Sequence, residues 1–193
     1  MLFRSAMLSS SAYYGDLYSY GSELSIAREQ GRLTGSVSVT VSRSQMRVAD
    51  LNSGNAYRSQ YDKPVDGTAF ASYKLNDKWS VAGMFVYSSG KTATMPVQRY
   101  VIQGNLVNKY SGRNEFRMPD YHRLDISATR TLASKGRLRS ELILSIYNVY
   151  SRLNPYYVYY ETTGDVEKMQ LSVKAKAVSF FPILPSIAWR FSF

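Results

Sequence analysis

A chain of 193 residues is long enough for one domain, and the absence of cysteine excludes disulfides and thiolate metal sites. Its 17 Tyr, 8 Phe and 2 Trp accompany a mean hydropathy of −0.28, and no run of about 20 apolar residues exists to form a spanning helix, which leaves a sheet with one oily and one wetted face. The net charge of +10 is scattered and comes with no helix-turn-helix, RNP or zinc pattern, so nucleic acid is not an expected partner; the single histidine, His122, argues against a histidine metal site or a catalytic triad.

Residues 1–15 hold one arginine and a serine run, without the apolar core of roughly 7–15 residues that an export signal needs. The first strand is predicted over 18–28, with Tyr18, Tyr20, Leu24 and Ile26 on one face. Gly31 marks a tight turn. The next strand is the cleanest in the chain: Leu33, Gly35, Val37, Val39 and Val41 alternate with Thr34, Ser36, Ser38, Thr40 and Ser42.

Loop signals follow in 45–64, at Asn52-Ser53-Gly54-Asn55 and Lys63-Pro64. At about 66–75, Ala69, Ala71, Tyr73 and Leu75 oppose Thr68, Ser72 and Lys74, and Phe70 interrupts the polar face. Asn76-Asp77-Lys78 is a hairpin turn into a strand that sets Trp79, Val81, Gly83, Phe85 and Tyr87 on one side. A long connection is predicted for 89–119.

Leu124, Ile126 and Ala128 then alternate with Arg123, Asp125, Ser127 and Thr129. After a turn near Ala133–Gly136, Leu142, Leu144 and Ile146 oppose Arg139, Glu141, Ser145 and Tyr147. The chain continues through Asn148–Pro155 into Tyr156–Tyr160 and a polar loop around Thr162–Glu167. A last segment is predicted from about Gln170 to Phe193, bent at Phe181-Pro182 and Leu184-Pro185. Its end places Ile187, Trp189, Phe191 and Phe193 on one face and Ala188, Arg190 and Ser192 on the other.

Short turns and long connections alternate along the chain. That asymmetry fits an outer-membrane barrel, with short periplasmic turns at 30–32, 76–78 and 133–137 and longer extracellular loops between them. Seven strands of this kind form an open sheet with two edges, whereas lipid requires every backbone group to be paired within a closed ring. The expected fold class is therefore all-β: an antiparallel transmembrane β-barrel segment of about seven strands, open in isolation.

Several short stretches resemble a known family. They are Ser19-Tyr20-Gly21-Ser22-Glu23-Leu24, Gly31-Arg32-Leu33-Thr34-Gly35, Ser42-Arg43-Ser44 and Tyr61-Asp62-Lys63. Later in the chain come Met118-Pro119-Asp120-Tyr121-His122-Arg123-Leu124-Asp125, Ser145-Ile146-Tyr147-Asn148-Val149-Tyr150 with Asn154-Pro155, and Phe181-Pro182-Ile183-Leu184-Pro185-Ser186. In this order and spacing, residues 1–193 resemble the C-terminal part of a TonB-dependent outer-membrane receptor of the kind common in Bacteroidetes.

The resemblance implies the last seven strands of a barrel of about 22, whose signal peptide, TonB box, plug and about fifteen earlier strands lie elsewhere. It implies location in the outer membrane of a Gram-negative cell and uptake of a scarce nutrient, such as a metal chelate, cobalamin or glycan. The implied partners are outer-membrane lipid, the barrel assembly machinery, the TonB complex through the plug, and a surface lipoprotein. This piece would supply barrel wall, extracellular loops and an assembly signal. No cofactor and no enzymatic activity are expected.

Each candidate site carries two readings. Trp189, Phe191 and Phe193 resemble the terminal signal read by the assembly machinery, or form an ordinary lipid-facing aromatic stripe. Tyr156, Tyr157, Tyr159 and Tyr160 are either a stacking platform for a sugar or aromatic chelate, or an interfacial aromatic girdle. Arg123, Asp125, Arg139 and Glu141 either contact substrate or plug as lumen-lining groups, or pair across strands to keep the lumen wet. His122 beside Asp125 is not a catalytic pair, since no G-x-S-x-G nucleophile motif occurs. Gly104–Gly112 is not a phosphate cradle, since no helix follows it. Two other architectures compete: a small self-contained eight-stranded outer-membrane barrel with a structural or adhesion role, needing one more strand in 1–15, and a soluble basic OB-like module stacking ligands on tyrosines.

Overall fold

The computed structural model describes residues 14–102, 105–135, 138–165 and 170–193, which are all-β and antiparallel, with no α-helix. The strands run β1 (Gly15–Arg28), β2 (Leu33–Val48), β3 (Tyr57–Arg58), β4 (Val65–Lys74), β5 (Trp79–Ser88), β6 (Thr92–Ala93) and β7 (Pro96–Ile102). They continue with β8 (Asn105–Tyr110), β9 (Phe116–Arg117), β10 (Tyr121–Lys135), β11 (Leu138–Tyr147), β12 (Pro155–Asp165), β13 (Gln170–Ser179) and β14 (Leu184–Ser192).

The main sheet is a meander in the order β1-β2-β4-β5-β10-β11-β14, with β3 also paired to β2. Its strands are those that alternate in period two. Short turns join β1 to β2 and β4 to β5 at one end of the sheet, the end at which β10 passes to β11 through residues 136–137, outside the described residues; the connections 49–64, 89–120 and 148–183 leave from the other. Gly31 turns the first hairpin with φ of +99°, a conformation that disfavours any side chain. In the second hairpin the Asn76 side chain accepts the N–H groups of Lys78 and Trp79, both at 2.9 Å. The third strand pair carries a bulge between Thr131 and Ala133.

Register turns the alternation into two coherent faces. One row runs Ile26–Val37–Ala69–Phe85–Leu124, and another runs Leu33–Tyr73–Val81–Ala128–Leu144–Ile187. On the opposite face Thr34, Ser72, Ala82, Ser127, Ser145 and Ser186 share a row. A slip of one residue in any pair would exchange the faces, so the apolar pattern pins the register.

Nothing among the described residues covers the apolar face. Val37 is 50% exposed and Ile187 70%. The only buried apolar residues described are Val48, Tyr57, Met95 and Met118, and these sit at or beyond the loop end of the sheet. Nor does the sheet close: among the described strands β1 pairs only with β2, and β14 only with β11.

Three expectations need correction. The last segment is not one bent strand. Phe181, with φ of +49°, and the N–H-less Pro182 separate β13, which pairs with β12, from β14, which pairs with β11. The connection 89–119 is not plain loop, because it contains the β7–β8 hairpin and the β6–β9 bridge. Finally, β2 runs past Ser42 to Val48, where Gln45 and Met46 pair with β3. The extra strand that an eight-stranded barrel would need falls largely on residues 1–13, outside the described residues.

A candidate binding cleft at the loop end

The long connections fold down onto the loop end of the polar face and enclose a cleft of about 430 Å³. Its floor is strand: Val86 and Ser88 of β5, Tyr121 of β10 and Tyr147 of β11. Its walls come from the connections, chiefly Lys91, Met118, Asn154, Tyr156, Phe180 and Phe181.

Strand register creates the floor. Tyr121 lies opposite Ser88, and Arg123 opposite Val86. The Arg123 guanidinium donates to the hydroxyls of Tyr121 at 2.9 Å and Tyr147 at 2.7 Å, and lies 4.1 Å from the Tyr147 ring centroid. Its Nε donates to Asp125 at 3.0 Å, while the other Asp125 oxygen accepts the Asn148 backbone N–H at 2.9 Å. Arg123 thus fixes both tyrosine rings and is itself neutralised.

Polar clamps hold the walls. Asn148, 1% exposed, donates to the carbonyls of Arg152 at 2.9 Å and Phe181 at 3.2 Å, and accepts the Arg152 N–H at 3.1 Å. Asn154 forms a two-way bridge with the His122 backbone, accepting its N–H at 3.1 Å and donating to its carbonyl at 2.9 Å. Asp120 accepts the Tyr87 hydroxyl at 2.6 Å and the Gly90 N–H at 3.0 Å; these two bonds hold its carboxyl below the usual carboxylate range. At Gly90 a Cβ would come within 1.7 Å of the Met118 carbonyl oxygen, so only glycine allows the two strands of this connection to approach so closely.

The predicted charged residues separate into two places. Arg123 and Asp125 lie beside the cleft, Arg123 bonded to the two tyrosines of its floor. Arg139 and Glu141 lie near the turn end, paired at 2.7 Å, with Arg190 of β14 adding a longer contact to Glu141 at 3.5 Å. The two charge clusters are therefore separate, and the tighter pair in each is along one strand rather than across two.

The tyrosines also divide. Tyr156 enters the cleft wall, 4.9 Å from the Phe180 ring centroid, with the Lys91 ammonium 5.6 Å above its own ring. Tyr157 and Tyr159 stack along β12 beyond the cleft at 6.1 Å, and the Tyr160 hydroxyl contacts Met95 Sδ at 3.3 Å. Trp189, Phe191 and Phe193 form a continuous aromatic run on the uncovered apolar face, with centroid spacings of 6.4 and 6.0 Å.

Sequence reasoning missed Tyr121, Tyr147, Lys91 and Phe180 as members of one site. The available signal was Asn148 directly after one strand and Asn154 directly before the next: buried amides that close a connection onto a sheet. Among the described residues no group of three or more His, Cys, Asp or Glu could hold a metal ion. No protein-family model, curated protein or solved structure matches the chain.

Proposed function

We propose that the chain is the wall segment of a TonB-dependent receptor in the outer membrane of a Gram-negative cell, taking part in uptake of a scarce nutrient. The observation that carries this reading is the uncovered apolar face, continuous over the seven strands of the main sheet and backed by a polar face. A water-soluble sheet buries such a face against another layer, whereas in a barrel wall lipid covers it. The alternation of short and long connections supports the same orientation, with turns toward the periplasm and the cleft toward the outside.

The two unpaired edges, β1 and β14, support a segment of a larger closed wall, since lipid tolerates no open edge. Aromatics bracket the apolar band. Trp79 and Trp189 stand in one register row with Arg130 and Leu142 between them, and Tyr87 lies at the far end of the same strand as Trp79. Trp79 to Tyr87 is a stretch of nine residues, at the lower end of the roughly 9–11 that a tilted transmembrane strand uses. In this reading Trp189, Phe191 and Phe193 serve the assembly machinery, and coupling to TonB runs through a plug carried by the rest of the receptor. A surface lipoprotein capping the loop end is a further proposed partner.

The chain has no native cysteine, so single introduced cysteines report their own surroundings. In outer-membrane vesicles from cells that make the protein, an environment-sensitive fluorophore on Val37→Cys should shift to the blue and be quenched by a lipid-soluble spin label. The same label on Ser38→Cys should show neither effect. Equal behaviour at both positions would sink the membrane reading.

A further inference from the structure

The loop-end cleft has chemistry that a barrel wall does not require. Its lining presents aromatic rings from separate parts of the chain, Tyr121 and Tyr147 from the floor and Tyr156 and Phe180 from the walls. Its charges are unbalanced. Lys63 is matched with Asp66 at 3.4 Å, while the Lys91 ammonium meets no carboxylate among the described residues and rests only against the Tyr156 ring. Ser88 and Ser89, both buried, line the same space.

The framework is organised before any ligand arrives. Asn148 and Asn154 tie the 148–155 segment to Phe181 and His122, and Asp120 and Arg117 tie both ends of the 89–120 connection to Gly90. A cleft whose walls are already ordered loses little entropy when it binds. Its volume of about 430 Å³ lies within the range of about 300–1,000 Å³ of small-molecule sites, and an apolar lining with few convergent polar groups is the composition of such sites.

We propose that this cleft binds a small ring compound bearing a carboxylate, of disaccharide size or smaller. The ring packs between the aromatic walls, where flat faces are available and hydrogen-bonding groups are few. The carboxylate pairs with Lys91, the one cleft ammonium among the described residues that lacks an anionic partner. A neutral ring forgoes the ammonium, and an unringed acid forgoes the walls. The inference rests on the receptor reading for access of the cleft to the outside; the ligand class comes from the lining alone.

The test uses the full chain folded in detergent micelles, with β-structure confirmed by circular dichroism, titrated by calorimetry. The probes are digalacturonate for an acidic sugar, 2,3-dihydroxybenzoate for an aromatic acid, and maltose for a neutral sugar. At least one acid should bind, with maltose about ten-fold weaker or more, and raising salt should weaken the acid but not maltose. Lys91→Gln and Tyr156→Ser should each weaken the acid by about ten-fold, while Lys74→Gln at the turn end should leave it unchanged. Which acid binds separates a sugar source from an aromatic one. Binding by neither acid, equal binding of maltose, or full affinity in both cleft variants would overturn the proposal. The vesicle fluorescence experiment fails or succeeds independently, so loss of the membrane reading and loss of the cleft are distinguishable.

Discussion

Arg117 closes a buried ion pair with Asp62 and, through the same guanidinium, donates to the carbonyl oxygens of Asp62 at 2.9 Å and Gly90 at 2.7 Å. Asp62 is only 3% exposed, and its second oxygen accepts the Ser44 N–H of β2 at 2.8 Å. One side chain thus joins the connection 49–64 to the connection 89–120 and pins both to the sheet. Removing it leaves a buried carboxylate without its cation. Arg117→Ala should therefore destabilise the loop end by about 2–3 kcal/mol, reduced from the fully buried case because the arginine is partly exposed. Limited proteolysis of the folded chain should show faster cleavage within 49–64 and 89–120, with the main sheet still protected. An unchanged cleavage rate would rule out the tie.

Asp120 makes the same region sensitive to acid. Its folded carboxyl titrates below the ordinary value, first because the Tyr87 hydroxyl and then the Gly90 N–H bind its charged form. A depressed carboxylate contributes stability that is present above its unfolded pKa of about 3.9 and is lost as pH falls through the lower folded value. Protection of the Gly90 amide, the slowing of its exchange relative to that of an unfolded amide at the same pH, should therefore fall below about pH 4 in the native chain. Asp120→Asn should show faster exchange at pH 7 and a flatter profile in acid. An acid profile identical in the variant would assign the sensitivity to another group.

The terminal aromatics should act through position rather than mere hydrophobicity. Trp189 lies opposite Leu142 and donates its indole N–H to Ser140 Oγ at 2.8 Å, so the ring is tied to the neighbouring strand. Replacing Trp189, Phe191 and Phe193 together by serine should sharply reduce insertion by purified assembly machinery in vesicles. Replacing Ala188 and Ser192 by threonine, on the other face, should leave insertion near its native level. Equal loss in both sets would mean that the machinery does not read this stripe.

How far the sequence predicts this molecule depends on whether chemistry repeats along the chain. The seven sheet strands were legible because Val37, Val39 and Val41, or Leu142, Leu144 and Ile146, return every second residue to one face, and a short turn makes the next strand in sequence a neighbour in the sheet. The β7–β8 hairpin was not legible, since Val97-Gln98-Arg99-Tyr100-Val101-Ile102 changes phase where a bulge lies between Pro96 and Gln98. The break at Phe181 was visible as Pro182, yet nothing local said that the strand before it would leave the sheet. The cleft was least legible of all. Tyr121 and Tyr147 meet only through register, and Lys91 and Phe180 are brought to them by clamps at Asn148, Asn154 and Asp120. Arg123 and Asp125 read correctly as polar-face residues, but nothing in their spacing says that they pair with each other along one strand and not with a neighbouring strand.

The sharpest separation between a lipid-covered wall and a soluble sheet lies at two adjacent residues. Val37 and Ser38 share strand, length and register environment, Val37 opposite Ala69 and Ser38 opposite Thr68, and differ only in the face they occupy. Ser38 Oγ donates to Glu23 at 3.2 Å, so an arginine there gains a carboxylate neighbour. An arginine at Val37 has only Ile26 and Ala69 across the strands. In a bilayer, Val37→Arg should cost about 1–3 kcal/mol in folding free energy, as a charge in the apolar band between its midplane and the Tyr87 boundary, while Ser38→Arg stays within about 0.5 kcal/mol of the native chain. Urea unfolding from vesicles would measure both. Since Val37 is already half-exposed, a soluble protein would tolerate the first substitution as well as the second. Equal stability of the two variants would therefore remove lipid from the account of this face.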